Sequence, residues 1–396
     1  MDIILHPRRL RGQINIIPSK SQAHRVLICA AFADGPTQIL CSETSRDMEA
    51  TADCLRALGA KIHATSTGYS VFPIQSLPEK ALLNCCESGS TLRFLLPVVG
   101  ALGVDATFMM EGRLPQRPLS PLWEEMERMG CSLSRPTQDT ILCTGKLNAG
   151  EYTIAGNISS QYITGFLLAL SLMNGESRLH ITGKVESRPY IELTKQVISL
   201  FGGDADHPGT KKFRSPGSIA IEGDWSNGAF FLAAASLGSG LAIQGLEETS
   251  VQGDRAAANW IPMLCQHSCT IDASDIPDLV PILSVVAGTN HGAVFTNIRR
   301  LRIKESDRVE STLAMIRNLG GRAEATDDTL TIWGTGLTGG TVDAMNDHRI
   351  AMSAAIASTV CKNDVTILGA ECVKKSYPKF WEEFSRLGGS YEQYLR

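Results

Sequence analysis

Lysine, arginine and histidine recur in this chain at one kind of place, at or just before the start of a helix-like run. Lys20, Arg117, Lys304, Arg308, His348-Arg349 and Lys375 all stand there. The polar segments that open such runs are Ser19-Lys20-Ser21-Gln22-Ala23-His24-Arg25, Glu87-Ser88-Gly89-Ser90-Thr91-Leu92-Arg93, Arg117-Pro118, Ser159-Ser160-Gln161, Ser187-Arg188-Pro189-Tyr190, Lys304-Glu305-Ser306-Asp307-Arg308, Asp347-His348-Arg349 and Lys374-Lys375-Ser376-Tyr377-Pro378. A helix start presents free N–H groups and a partial positive charge, so it favours anions. Ser, Thr or Asp at any one such place is explained by capping alone. Cations are not, because they oppose the helix dipole and cost stability unless an anion offsets them. Their repetition points to a multiply charged ligand, a phosphorylated one first. Two carboxylates have neighbours suited to acid–base work, Asp278 in Ile276-Pro277-Asp278-Leu279 and Glu305 beside Lys304. Taken singly, the first reads more readily as a helix cap and the second as a surface charge.

The elements that must position these residues repeat along the chain. Runs rich in small apolar residues open at Lys20, Ser88, Ser159, Asp224, Asp278 and Asp347, in steps of 68, 71, 65, 54 and 69. They are apolar nearly all round, as in Val26–Phe32, Phe166–Met173 and Phe230–Leu237, which marks buried helices. Between them lie amphipathic helices that stop at Leu58-Gly59, Met129-Gly130, Phe201-Gly202-Gly203, Leu319-Gly320 and Leu387-Gly388, each followed by a strand-like run. A degenerate copy near Trp260–Cys269 runs into Thr270-Ile271-Asp272 without a glycine turn. Thr140–Cys143, Arg178–Thr182 and Thr329–Trp333 read as strands. The sequence therefore predicts an α/β protein of six units, the fourth shortened.

Composition narrows the function. The 396 residues are 43% hydrophobic and 20% charged, which excludes disorder and low complexity, and the length suggests two or three domains. With 37 Lys+Arg against 41 Asp+Glu, a global nucleic-acid footprint is not expected. The residues Met1–Arg9 form no long apolar run, so a signal peptide is not expected. The apolar stretches near Phe94–Val104 and Ile163–Met173 fall short of the ~20 residues of a membrane span. Eleven cysteines without a Cys-x-x-Cys pair read as reduced thiols of a cytoplasmic protein, and no metal-ligand spacing is present.

In order and across essentially the whole chain, the segments quoted above, with Pro277-Asp278 and Asp347-His348-Arg349-Ile350-Ala351-Met352, resemble the 5-enolpyruvylshikimate-3-phosphate synthases, enolpyruvyl transferases of the shikimate pathway. The resemblance implies two domains of three α/β units each, one spanning 20–223 and the other 1–19 with 224–396. Their buried helices would point at a cleft that closes over the ligands. It implies transfer of the enolpyruvyl group of phosphoenolpyruvate to the 5-hydroxyl of shikimate 3-phosphate with release of phosphate, in chorismate and aromatic amino acid biosynthesis. No metal or organic cofactor, nucleic acid or membrane is implied, and a cytoplasmic monomer is expected. By matching position, Lys20, Ser21, Arg25, Ser159, Ser160, Gln161, Ser187, Tyr190, Asp278 and Lys304 would hold shikimate 3-phosphate. Lys20, Gly89, Arg93, Arg117, Gln161, Arg308, His348, Arg349 and Lys375 would hold phosphoenolpyruvate, with Gly89 bordering the phosphate where glyphosate competes. Asp278 would take the hydroxyl proton, and Glu305 or Lys20 would supply the methylene proton. The chain departs from the family pattern in its shortened fourth unit and in Arg300, where many members have Asn. The sister family acting on UDP-N-acetylglucosamine typically has a reactive Cys before its Arg-Pro motif, whereas Glu111–Arg117 here contains none. A binding-only paralogue would not need both Asp278 and Glu305.

Overall fold

Six helices begin at the polar segments and are buried along most of their length: α1 (Lys20–Ala31), α3 (Gly89–Leu102), α5 (Ser160–Leu172), α7 (Trp225–Ser236), α9 (Val280–Thr289) and α11 (His348–Ser358). The computed structural model describes residues 1–394. Five of these helices start on a side-chain cap: Ser19, Ser88, Ser159, Asp224 and Asp347 each accept an N–H of the first turn. α9 does not. Its first residues follow Leu279, and the carboxylate of Asp278 is engaged elsewhere, so the expectation that Asp278 caps a helix is corrected. The stop of α3 is a left-handed Gly103 (φ 73°), whose N–H returns to the Val99 carbonyl at 2.9 Å.

The more polar helices alternate with these: α2 (Arg46–Ala57), α4 (Leu122–Arg128), α6 (Arg188–Leu200), α8 (Ala257–Leu264), α10 (Arg308–Asn318) and α12 (Phe380–Arg386). No helix among the described residues is long and apolar enough to cross a membrane.

The chain divides into two compact units, Pro18–Glu222 and Met1–Ile17 with Gly223–Arg396, each with its own apolar core. Within Pro18–Glu222, Lys80–Asn84 and Asp105–Met109 flank α3 and pair in parallel, and Asp105–Met109 then pairs antiparallel with Thr140–Gly145. A parallel pair needs such a crossover, and it leaves the start of α3 at the strand's C-terminal end. Glu151–Ala155 and Arg178–Thr182 flank α5 in the same way. α5 lies close on α3 at Gly165, where an added Cβ would collide with the Arg93 carbonyl. In the other unit, Cys269–Asp272 and Ala293–Thr296 flank α9, and Gly340–Asp343 and Val365–Leu368 flank α11.

One expected strand is missing. After Gly202-Gly203 the residues 203–217 carry no strand, where the sequence predicts one. The segment has no apolar alternation, and the Asp204 carboxylate accepts the N–H groups of Asp206 and His207 at 3.1 Å each, folding it into a turn.

Candidate active site

In Pro18–Glu222 the candidate side chains stand at or near the starts of α1, α3, α5 and α6. Arg25, 2% exposed, lies one turn into α1. Its Nε donates to Thr194 Oγ1 (2.8 Å), Nη1 to the Ser21 carbonyl (2.5 Å), and Nη2 to Thr164 Oγ1 (3.2 Å) and the Tyr190 carbonyl (3.1 Å). The guanidinium also sits 4.9 Å over the Phe94 ring. Every one of these partners is neutral. Burial draws the guanidinium down to about 10, so a full positive charge remains at neutral pH inside the unit. Thr164 and Thr194 were not singled out from the sequence. Their signal was a hydroxyl on an otherwise apolar helix face.

Arg93 joins a second group. Its Nη1 donates to Gln161 Oε1 (3.0 Å) and Nη2 to the Pro118 carbonyl (3.2 Å), while Gln161 Nε2 donates to Ser90 Oγ (3.0 Å). Gly89, the first residue of α3, lies against these guanidiniums: an added Cβ would fall 2.6 Å from Arg93 Nη1 and 2.7 Å from Arg117 Nη1. Lys20 pairs with Asp47 at 2.9 Å, a partner 27 residues away that spacing did not reveal. Ser159 caps α5, of which Ser160 and Gln161 are the first residues. Ser187 is buried with a left-handed backbone (φ 54°) before α6. A β-substituted residue held in that region costs stability, which is common at ligand sites.

In the other unit, Asp278 lies among three cations. Arg308 Nη1 reaches its Oδ1 at 2.7 Å, Arg349 Nη2 its Oδ2 at 2.8 Å, and Lys304 Nζ stands 3.7 Å from Oδ1. Burial works to raise the Asp278 pKa, but Arg349, Lys304 and Arg308 hold it far below the usual carboxylate range. Arg308 is fully buried and also contacts Glu305 Oε2 (2.5 Å) and Asp347 Oδ2 (2.9 Å). Burial lowers the Arg308 pKa, and Asp347, Glu305 and Asp278 together raise it above the ordinary value. Glu305, half-buried, is thus not a free surface charge but the partner of the buried Arg308. Lys304 is drawn down to about 8 by burial, against the pull of Asp278.

Three cations differ from the expected placing. Arg117 and Lys304 close the 3₁₀ turns Leu114–Gln116 and Arg299–Ile303, and Lys375 ends the turn Ala370–Lys375. None of them opens an α-helix, because intervening turns separate Arg117 and Lys375 from α4 and α12, and Arg308 rather than Lys304 opens α10. The dipole argument holds for Lys20, Arg308, His348 and Arg349, which lie in the first two residues of their helices. His348 is buried, and Lys375 Nζ donates to the Asn346 carbonyl at 2.9 Å, next to the α11 cap.

Buried cations gathered at helix starts, with a carboxylate pulled far down among them, describe a site for anion chemistry. The family model for EPSP synthase (3-phosphoshikimate 1-carboxyvinyltransferase) matches residues 4–384. The chain belongs to the EPSP synthase family. A 3-phosphoshikimate 1-carboxyvinyltransferase of Clostridium kluyveri is 37% identical over 419 aligned positions, covering 99% of this chain and 98% of the relative. One from Clostridioides difficile is 35% identical over 428 positions, covering 98% of each. The solved EPSP synthase of Acinetobacter baumannii shares the fold, with a TM-score of 0.81 at 21% identity and coverage of 99% of this chain and all of that one. The reaction of the EPSP synthase family is enolpyruvyl transfer from phosphoenolpyruvate to shikimate 3-phosphate, in aromatic biosynthesis.

Proposed function

We propose that in this chain Asp278 is the base that takes the 5-hydroxyl proton of shikimate 3-phosphate, and that the arriving anions switch it on. As it stands Asp278 is a poor base, because Arg308, Arg349 and Lys304 favour its ionised form too strongly. A phosphate or carboxylate that engages Arg349 and Lys304 weakens their hold, and the Asp278 pKa rises towards a useful value. Arg and Lys suit these roles, since a guanidinium forks onto a carboxylate or phosphate and an ammonium serves as a point charge.

A proton adds to the methylene carbon of phosphoenolpyruvate and leaves C2 cationic. The 5-hydroxyl oxygen bonds to C2 and its proton passes to Asp278. The tetrahedral intermediate then loses phosphate through cleavage of the C2–O bond, and a methyl proton departs to restore the double bond. Glu305 or Lys20 handles the carbon-bound proton. Shikimate 3-phosphate is held by Lys20, Ser21, Arg25, Ser159, Ser160, Gln161, Ser187, Tyr190, Asp278 and Lys304. Phosphoenolpyruvate is held by Lys20, Gly89, Arg93, Arg117, Gln161, Arg308, His348, Arg349 and Lys375. The protein works as a monomer in the cytoplasm.

The observation that carries this reading is the grip of three cations on the one carboxylate. Asp278→Asn keeps the shape and removes the proton acceptor, so kcat should fall ~10²–10⁴-fold. Because the cations are then released, the KM for phosphoenolpyruvate should hold or fall. A kcat near the wild-type value would remove Asp278 from the chemistry.

A further inference from the structure

A buried chain of one imidazole and three hydroxyls joins the second turns of α1 and α2 to the first turn of α3. His24 Nδ1 meets Thr51 Oγ1 at 2.7 Å, Thr51 Oγ1 meets Thr91 Oγ1 at 2.7 Å, and Thr91 Oγ1 meets Ser88 Oγ at 2.7 Å. All four side chains are 0% exposed, so each link is made out of water's reach. Ser88 is also the cap of α3, accepting the Thr91 N–H at 3.2 Å. Thr91 Oγ1 further faces the carbonyl of Asp47 at 3.4 Å, and the Asp47 carboxylate holds Lys20. The contacts therefore close a ring, since His24 lies one helical turn beyond Lys20 on the same face of α1.

Two features set this ring apart from ordinary core polarity. His24 Nε2 is buried and has no hydrogen-bond partner among the described residues, an arrangement that costs stability and calls for a reason. Burial, then the nearby charges of Lys20 and Arg25, keep the ring neutral. Thr91 Oγ1 donates to Ser88 Oγ, so with one proton per hydroxyl a single order fits: His24 Nδ1–H donates to Thr51, Thr51 to Thr91 and Thr91 to Ser88.

We propose that His24, Thr51, Thr91 and Ser88 form a positioning network that fixes Lys20 and Gly89 relative to one another for phosphoenolpyruvate. This rests on the assignment of Lys20 and Gly89 to that substrate. The network's residues touch no ligand themselves; they set where the α1 and α3 starts stand. A hydrogen bond's worth of misplacement, about tenfold in binding, should appear in one substrate's KM.

The test is Thr51→Val against Thr51→Ser in the full chain. The Val variant keeps the shape and removes the link, so the KM for phosphoenolpyruvate should rise about tenfold while that for shikimate 3-phosphate changes less than about twofold. The Ser variant, which keeps the hydroxyl, should restore the wild-type value. An unchanged phosphoenolpyruvate KM in a folded Val variant overturns the proposal, as does a Ser variant as impaired as Val. A second readout needs no substitution: adding phosphoenolpyruvate to the wild type should shift the His24 ring nitrogens in a ¹⁵N spectrum, and no shift overturns the network's coupling to the site. Wild type that fails to turn over the two substrates would instead refute the assignment of function.

Discussion

Burial brings the Lys304 pKa down towards neutrality, which makes its charge testable. Burial pulls it down to about 8, with Arg300 and Arg308 adding to the fall and Asp278 opposing it. An anionic substrate favours the charged form, so the free protein must take up a proton to bind once the pH exceeds about 8. Affinity is therefore full below that value and lost as the pH rises through it. The kcat/KM for shikimate 3-phosphate should be flat up to about pH 7.5 and fall up to tenfold per unit above pH 8. Lys304→Arg, charged throughout, should flatten the fall. A wild-type profile flat to about pH 9.5 would remove Lys304 from substrate binding. Residue types at this site were readable in advance, because a Lys-Glu-x-x-Arg run and a Pro-Asp pair are local. Their partners were not. Asp347 lies 39 positions from Arg308 and Asp278 lies 71 from Arg349, and nothing in spacing reports such pairs.

Asp347 ties two elements together. It caps α11 by accepting the Arg349 N–H at 3.0 Å, and its other oxygen takes Arg308 Nε at 2.9 Å and the Ser306 hydroxyl at 3.0 Å. The carboxylate is fully buried, and so is the guanidinium. Asp347→Ala removes a cap, costing ~1 kcal/mol. It also leaves Arg308 short of a charge partner, and breaking such a pair costs ~3–5 kcal/mol. Urea unfolding should therefore show a loss of about 4–6 kcal/mol, and a loss of only ~1 kcal/mol, the cap alone, would mean that Asp278 and Glu305 suffice for Arg308. Helix starts were legible at this scale, since Ser, Asp and Gly punctuate them through side-chain caps and left-handed stops. The placing of Arg117, Lys304 and Lys375 was not, because a short 3₁₀ turn leaves no periodic trace. The absent strand after Gly203 is a similar case, where a glycine stop was present but no alternation followed.

At the scale of the whole chain, the strand pairings lay outside any reading of local pattern. Asp2–His6 pairs antiparallel with both Val365–Leu368 and Ser390–Tyr394, and Arg11–Asn15 pairs in parallel with Gly240–Gln244. Such ladders join segments hundreds of positions apart, and short strands with few alternations do not encode their partners. What was legible was the family, because its motifs lie in order along the chain. The choice between acceptors is the central property of the site. One coupled assay of phosphate release decides it, run with phosphoenolpyruvate and either shikimate 3-phosphate or UDP-N-acetylglucosamine. One phosphate should be released per enolpyruvyl product with shikimate 3-phosphate and none with the nucleotide sugar; release with the nucleotide sugar alone, or with neither acceptor, would contradict the assignment.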